Sequence, residues 1–215
     1  MNDKEKNMKK VLSLLLACCF FPALVFAGDL ENRQLAKINA KKALKFPQEC
    51  NIEPSVISAA KKVYQNNPNT FEAVYNYAVA LSAGDCDDVV PAYIPQDQLR
   101  LAKQMFKKAL QLKPTSPSCY AGLGFLTMLE SGLSEAIFVG DNAMDDGMFA
   151  RTVRANQSAA QKALDYYKNA LKYGYTGSIL PGIKEEVRLL EKELNKIKAN
   201  NTKKQVRKQA AKSRK

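Results

Sequence analysis

Apolar residues recur at helical spacing through most of this chain. In the segment 71–83, Val74, Tyr77, Ala78 and Leu81 follow the spacing i, i+3, i+4 and i+7, which places them on one face of an α-helix. Short turns that contain Pro, Asn or Gly separate the patterns. Comparable patterns predict helices over residues 30–45, 54–65, 98–112, 118–130, 156–172 and 183–197. The sequence therefore predicts an all-α fold.

The helical pattern is lost between residues 131 and 154. This segment contains three Gly and the acidic residues Asp141, Asp145 and Asp146. A short helix around residues 135–139 is compatible with it, but we interpret the whole as an inserted loop. The acidic residues do not have the spacing of a calcium-binding loop, so the sequence predicts a solvated acidic loop and no metal site.

Two of the predicted helices share a pattern of small and aromatic residues. One carries Ala102, Phe106, Ala109 and Leu110, and the other repeats it without a gap as Ala163, Tyr167, Ala170 and Leu171. Small residues let two backbones approach closely, and aromatic rings fill the space between neighbouring helical hairpins. The sequence therefore predicts an internal repeat of a helical unit.

This pattern resembles the tetratricopeptide repeat (TPR) family. Tyr120, Leu123 and Gly124 match the first helix of the family's hairpin, and the segment 102–114, which ends at Pro114, matches the second. The resemblance covers about residues 54–172. It implies a right-handed superhelix of about three helical hairpins plus a C-terminal capping helix, in a domain over residues 28–197. An unrelated α-helical bundle is the alternative.

In a TPR-like superhelix, the first helix of each hairpin faces the concave side. The resemblance therefore implies a groove for a protein or peptide partner, lined by Glu72, Tyr75, Val79, Ala121, Phe125 and Met128. Alternatively, Phe125 and Met128 pack against the insertion or the last helix. Family members that clamp a peptide carboxylate use Lys and Asn on these faces, and here only Asn76 fits, because Gly122 occupies the position of its partner.

The N-terminus has the pattern of a secretory signal. Lys9 and Lys10 precede an apolar run from Val11 to Phe26, which is short for a membrane-spanning helix. We predict a signal peptide over residues 1–27, cleaved after Ala27, and therefore export, with a bacterial periplasm as the expected compartment. The alternatives are an uncleaved anchor, a secreted protein, and a lipoprotein attached at Cys18.

Export makes a disulfide possible. Three cysteines follow the signal, so at least one of them cannot take part in a disulfide within the chain. Cys50 and Cys86 occupy predicted loops on the same edge of the stacked hairpins, which makes them a possible disulfide pair; three free thiols are the alternative. Cys119 begins a packed helix and is expected to be a free thiol in the core.

The formal net charge of +12 is concentrated at the C-terminus. The first 27 residues supply +2 and the last 20 supply +9, so the body between them is nearly neutral. We predict that residues 198–215 form a disordered basic tail, which either solubilises the protein or binds an anionic lipid or polymer. Its cations are Lys203, Lys204, Arg207, Lys208, Lys212, Arg214 and Lys215.

The chain has no His, which removes the commonest general base near neutral pH. We also find no glycine-rich phosphate loop and no nucleophile elbow. We therefore interpret the protein as a non-enzymatic scaffold or adaptor that needs no cofactor or metal and binds a protein or peptide partner in the cell envelope. The alternative is an envelope-associated protein whose basic tail binds an anionic surface. The tail has no interleaved aromatic residues, so specific nucleic-acid binding is not predicted.

Overall fold

The computed structural model describes Leu44, Phe46 and residues 54–83, 85–87, 90–136 and 146–213. Its helices are α1 (Pro54–Asn66), α2 (Phe71–Leu81), α3 (Gln96–Leu112), α4 (Pro117–Glu130), α5 (Asp146–Ala155), α6 (Gln157–Lys172) and α7 (Leu180–Lys212). The all-α prediction is confirmed. The predicted signal peptide, most of the predicted helix 30–45 and Cys50 lie outside the described residues.

A short antiparallel ribbon interrupts the helices. Strands β1 (Asp85–Asp87) and β2 (Val90–Tyr93) pair between α2 and α3. The sequence predicted only a loop there, since two prolines follow one another closely. Both strands are short, so the ribbon is a connection and adds no layer to the fold.

Helices that follow one another along the chain pack together. Contacts link α1 to α2, α2 to α3, and α3 to α4; α4 then packs against α6, and α6 against α7. The most extensive contacts are those of α4 with α6 and of α2 with α3. Each of these two pairs contains one of the helices that carry the Ala–aromatic pattern, α3 and α6, while the right-handed superhelix remains a prediction.

Two glycines of α4 make room for the aromatic residues of the repeat. A Cβ atom at Gly122 would lie 2.6 Å from the ring of Phe106, and a Cβ atom at Gly124 would lie 2.5 Å from the ring of Tyr167. Both distances are far below van der Waals contact. The glycines therefore admit one ring from α3 and one from α6, whereas the pattern had suggested a close approach of two backbones.

The insertion is more regular than the sequence predicted. Residues 133–136 form a helical turn, and α5 begins at Asp146 within the segment that we interpreted as a loop. Helix α5 lies against α6 and α7, and its Val153 is fully buried. The insertion therefore contributes to the core near α7, while residues 137–145, with Asp141 and Asp145, lie outside the described residues.

Helix α7 does not end where its apolar pattern ends. The sequence predicted a helix to Ile197 followed by a disordered tail, but the structure continues the helix to Lys212. The added residues include Ala, Lys, Gln and Arg, which favour helix, and no Gly or Pro. Val206, the one large apolar side chain in this stretch, is exposed. The stretch therefore lacks packing partners but keeps the helical preference of its residues.

The packed part of α7 carries an unusual buried contact with α6. The hydroxyl of Tyr167, which is almost completely buried, donates a hydrogen bond to the Glu186 carboxylate. Among the described residues, the Oε2 atom of Glu186 is buried without a hydrogen-bond partner. Burial raises the pKa of the Glu186 carboxyl, and the Tyr167 hydrogen bond only partly offsets this effect.

Candidate functional site

The residues predicted to line a groove lie deeper than expected. Four of them are buried in the core: Tyr75, Val79, Ala121 and Met128. Glu72 and Phe125 are partly exposed. Tyr75 and Val79 are buried because α2 is enclosed on every side, since all of its residues from Ala73 to Leu81 are buried. Ala121 and Met128 belong to the buried residues of α4. The four buried residues therefore belong to the core and do not line an open groove.

Phe46 packs against two aromatic side chains, one in α3 and one in α4. Its ring meets the ring of Phe106 edge-on, with centroids 5.6 Å apart, and that of Phe125 in a similar geometry at 6.1 Å. Only 4% of Phe46 is exposed. Edge-to-face pairs at these distances stabilise by more than the burial of their area alone. A residue from before α1 is therefore packed against α3 and α4.

The main chain around Phe46 is bound as well. The backbone N–H of Leu44 donates a hydrogen bond of 2.8 Å to Oδ1 of Asn76 on α2. The hydroxyl of Tyr175, in the loop after α6, donates one of 2.7 Å to the carbonyl oxygen of Phe46. Both side chains are buried, so each bond forms where water competes poorly. We call the surface formed by Asn76, Phe106, Phe125 and Tyr175 the Phe46 face.

A glycine leaves space for one of these bonds. A Cβ atom at Gly177 would collide with the hydroxyl of Tyr175 and would lie 2.8 Å from the carbonyl oxygen of Phe46. Burial raises the pKa of Tyr175 to about 12, so its hydroxyl keeps the proton that it donates at any physiological pH. The hydrogen bond to Phe46 is therefore insensitive to pH in that range.

Tyr75 supports the face from the core. Its ring stacks on Phe71 at 5.4 Å and meets Phe106 at 6.0 Å. Burial raises the pKa of Tyr75, and its side chain is hydrogen-bonded to Ser118 at the start of α4. Tyr75 therefore fixes the position of Phe106, against which Phe46 packs.

The chemistry of the Phe46 face suits the recognition of a peptide main chain that carries an aromatic side chain. It offers an amide oxygen to a backbone N–H, a phenol to a backbone carbonyl, and an aromatic surface to a side chain. Sequence analysis identified Asn76 and Phe125, but it left Phe46 just outside the predicted helix 30–45 and did not identify Tyr175. The hydrogen bond between them joins positions 129 apart in the chain, and no local pattern reports such a contact.

Cys119 is the cysteine whose side chain the structure describes. Cys119 is free and fully buried, as the sequence predicted. Burial raises the pKa of its thiol to about 12, which makes it a poor nucleophile at neutral pH. The possible Cys50–Cys86 disulfide is not described, because Cys50 and the side chain of Cys86 lie outside the described part of the chain.

Within the ranges that the structure describes, no group of three or more Cys, Asp or Glu side chains is arranged to hold a metal ion. No helix in this part of the chain is both long enough and apolar enough to cross a lipid bilayer.

The second predicted binding element is the C-terminal part of α7. Every residue from Lys198 to Ser213 is exposed, and none of them is acidic. We call residues 198–212 the basic arm. It carries Lys198, Lys203, Lys204, Arg207, Lys208 and Lys212, while Arg214 and Lys215 lie outside the described residues.

Comparisons with known proteins leave the family open: no protein-family model matches the chain, and no curated protein matches its sequence.

Proposed function

We propose that this protein is a non-enzymatic, TPR-like scaffold or adaptor that binds a protein or peptide partner. The observation that carries the proposal is the Phe46 face, where Asn76 and Tyr175 bind main-chain atoms and aromatic rings surround a Phe side chain. Main-chain hydrogen bonds give affinity for any extended peptide, and a side-chain pocket gives selectivity. The order of packed helix pairs is compatible with a TPR-like array.

We further propose that the protein acts in the cell envelope, with a bacterial periplasm as the compartment. The support is the apolar run at the N-terminus, with the two lysines before it and the Val-Phe-Ala sequence at residues 25–27. Secretion and attachment as a lipoprotein at Cys18 remain the alternatives. Intact-mass measurement distinguishes cleavage after Ala27 from lipid attachment at Cys18, since the two give different N-termini, and cell fractionation distinguishes the periplasm from secretion into the medium.

The binding proposal is tested by affinity capture with two variants of the face. Phe125→Ala removes a partly exposed ring, and Asn76→Ala removes the amide that binds a backbone N–H. Phe149→Ala is the matched control, because α5 packs against α6 and α7. We expect both face variants to lose the same co-purifying protein and the control to keep it. Equal recovery by all folded variants would rule out this face.

The basic arm supports a second function, the binding of an anionic surface. Its six described cations are exposed on a helix without a single acidic residue between Lys198 and Ser213. Each Lys or Arg near an anionic membrane contributes about 1 kcal/mol of attraction. The support is therefore the continuous exposure of positive charge on an ordered helix.

Vesicle sedimentation tests this second function. The intact chain should sediment with vesicles that contain phosphatidylglycerol and remain free with neutral phosphatidylcholine vesicles. Replacing Lys203, Lys204, Arg207 and Lys208 by Gln keeps the helix-forming character while removing four charges, and it should abolish sedimentation. If this variant sediments as well as the parent, the arm is not the binding element.

A further inference from the structure

The Phe46 face is already filled by the chain's own segment. Leu44 and Phe46 lie before α1 in the sequence, yet their hydrogen bonds and ring contacts reach α2, α3, α4 and the loop after α6. These contacts combine two main-chain hydrogen bonds with one aromatic side chain. They are the contacts with which a binding groove holds a peptide from another molecule.

The spacing of the contacts defines what the face recognises. An N–H is bound at Leu44, and a ring and a carbonyl are bound two residues later at Phe46. Leu44 itself is partly buried against the core. The bound pattern therefore includes an apolar residue and, two positions later, an aromatic residue, with the backbone hydrogen-bonded at both of them.

We propose that Leu44 and Phe46 are a built-in ligand of the Phe46 face, and that the external partner is a peptide segment with the same apolar-x-aromatic pattern. This inference rests on the proposed function, because it names the partner and the regulation of the same face. A tethered ligand acts at an effective concentration in the millimolar range when its linker is short. An external segment must therefore displace the tethered one. Only partners that bind tightly enough to compete with the tethered segment occupy the face.

The test weakens the built-in ligand without changing the face. Phe46→Ala removes the ring, and Leu44→Pro removes the N–H that donates to Asn76. The probe is a fluorescent peptide with the sequence of residues 41–48, KKALKFPQ, and the control probe is KKALKAPQ. Binding is measured by fluorescence anisotropy with the purified chain, and circular dichroism and thermal unfolding verify that each variant is folded.

We expect both variants to bind KKALKFPQ at least about tenfold more tightly than the unmodified chain does, and to bind KKALKAPQ weakly. Leu44→Pro provides the same test if Phe46→Ala does not fold. Adding Asn76→Ala to either variant should weaken binding of the peptide by about tenfold, which corresponds to about 1.4 kcal/mol.

Three results would overturn the inference, and they can be told apart. Equal binding of the peptide by the unmodified chain and both variants would contradict the built-in ligand, although it would remain compatible with a binding site at the Phe46 face. Failure of the folded variants to bind the peptide would overturn the proposed function of the face as well. A dimer of the unmodified chain in size-exclusion chromatography with light scattering, absent in Phe46→Ala, would place the segment on a second copy.

Discussion

The Phe46 face and the basic arm are both candidate binding elements, but they differ in how the molecule builds them. The face brings together residues from four separate parts of the chain, and its polar groups are satisfied by hydrogen bonds in the core. The arm is one continuous exposed helix with no apolar support. The face should therefore be sensitive to single substitutions and insensitive to salt, while the arm should behave in the opposite way.

The largest effect should come from Phe106, which joins the face to the core. We expect Phe106→Ala to lower the free energy of unfolding by about 3–5 kcal/mol, because the ring is fully buried against Phe46, Tyr75 and Gly122. Urea denaturation measures it. The control on the same helix is Leu112→Ala, whose side chain is exposed and should change stability by less than about 0.5 kcal/mol. Similar losses in the two variants would contradict the assigned packing.

A smaller loss should follow from filling the space at Gly124. A Cβ atom there would lie 2.5 Å from the Tyr167 ring, so Gly124→Ala should destabilise by about 1–3 kcal/mol through overpacking. Gly182→Ala in α7 is the matched control, because nothing lies within 4 Å of its added Cβ atom. The control should be neutral or slightly stabilising, since Ala favours helix over Gly. A neutral result at Gly124 would show that Tyr167 does not pack as described.

Glu186 gives an effect that depends on pH. Its pKa is raised by burial, so the folded state holds the proton more tightly than the unfolded state does. Its contribution to stability is complete below the ordinary pKa of Glu and is lost as the pH rises through the folded-state pKa. Glu186→Gln should therefore stabilise at pH 7 by about 1 kcal/mol, because a neutral amide replaces a poorly solvated carboxylate.

Unfolding curves at pH 7 and pH 3.5 test this prediction. The gain from Glu186→Gln should disappear at the lower pH, where the carboxyl is protonated in both states. Glu185→Gln is the control, since Glu185 is exposed and pairs only at the surface with Arg188. A gain for Glu186→Gln of equal size at both pH values would show that its cause is packing and not ionisation.

The smallest effect on stability should come from the basic arm. Removal of residues 198–215 deletes only exposed residues from the described part of the fold, so the free energy of unfolding should change by less than about 0.5 kcal/mol. Thermal unfolding of the truncated chain measures it. A loss above about 2 kcal/mol would mean that the arm packs against the body in solution.

Sequence analysis predicted every described helix except α5, because the periodicity of apolar residues reports local packing. The Ala–aromatic repeat likewise marked α3 and α6 as equivalent helices. It placed Tyr75 and Met128 on an open groove because helical periodicity does not indicate which other segments pack over a given helix face. The contacts of Phe46 and Tyr175 depend on the path of the whole chain. The length of α7 was underestimated for another reason: polarity was interpreted as disorder, although helix formers continue to Lys212.

The most direct test of this account is hydrogen exchange at the backbone amide of Leu44, measured by NMR in the intact chain. If the N–H is bound to the buried Asn76 side chain, it should exchange at least about 100-fold more slowly than an unstructured amide, and Asn76→Ala should remove most of that protection. Exchange of the Leu44 amide at the rate of an unstructured peptide would show that the segment does not occupy the face.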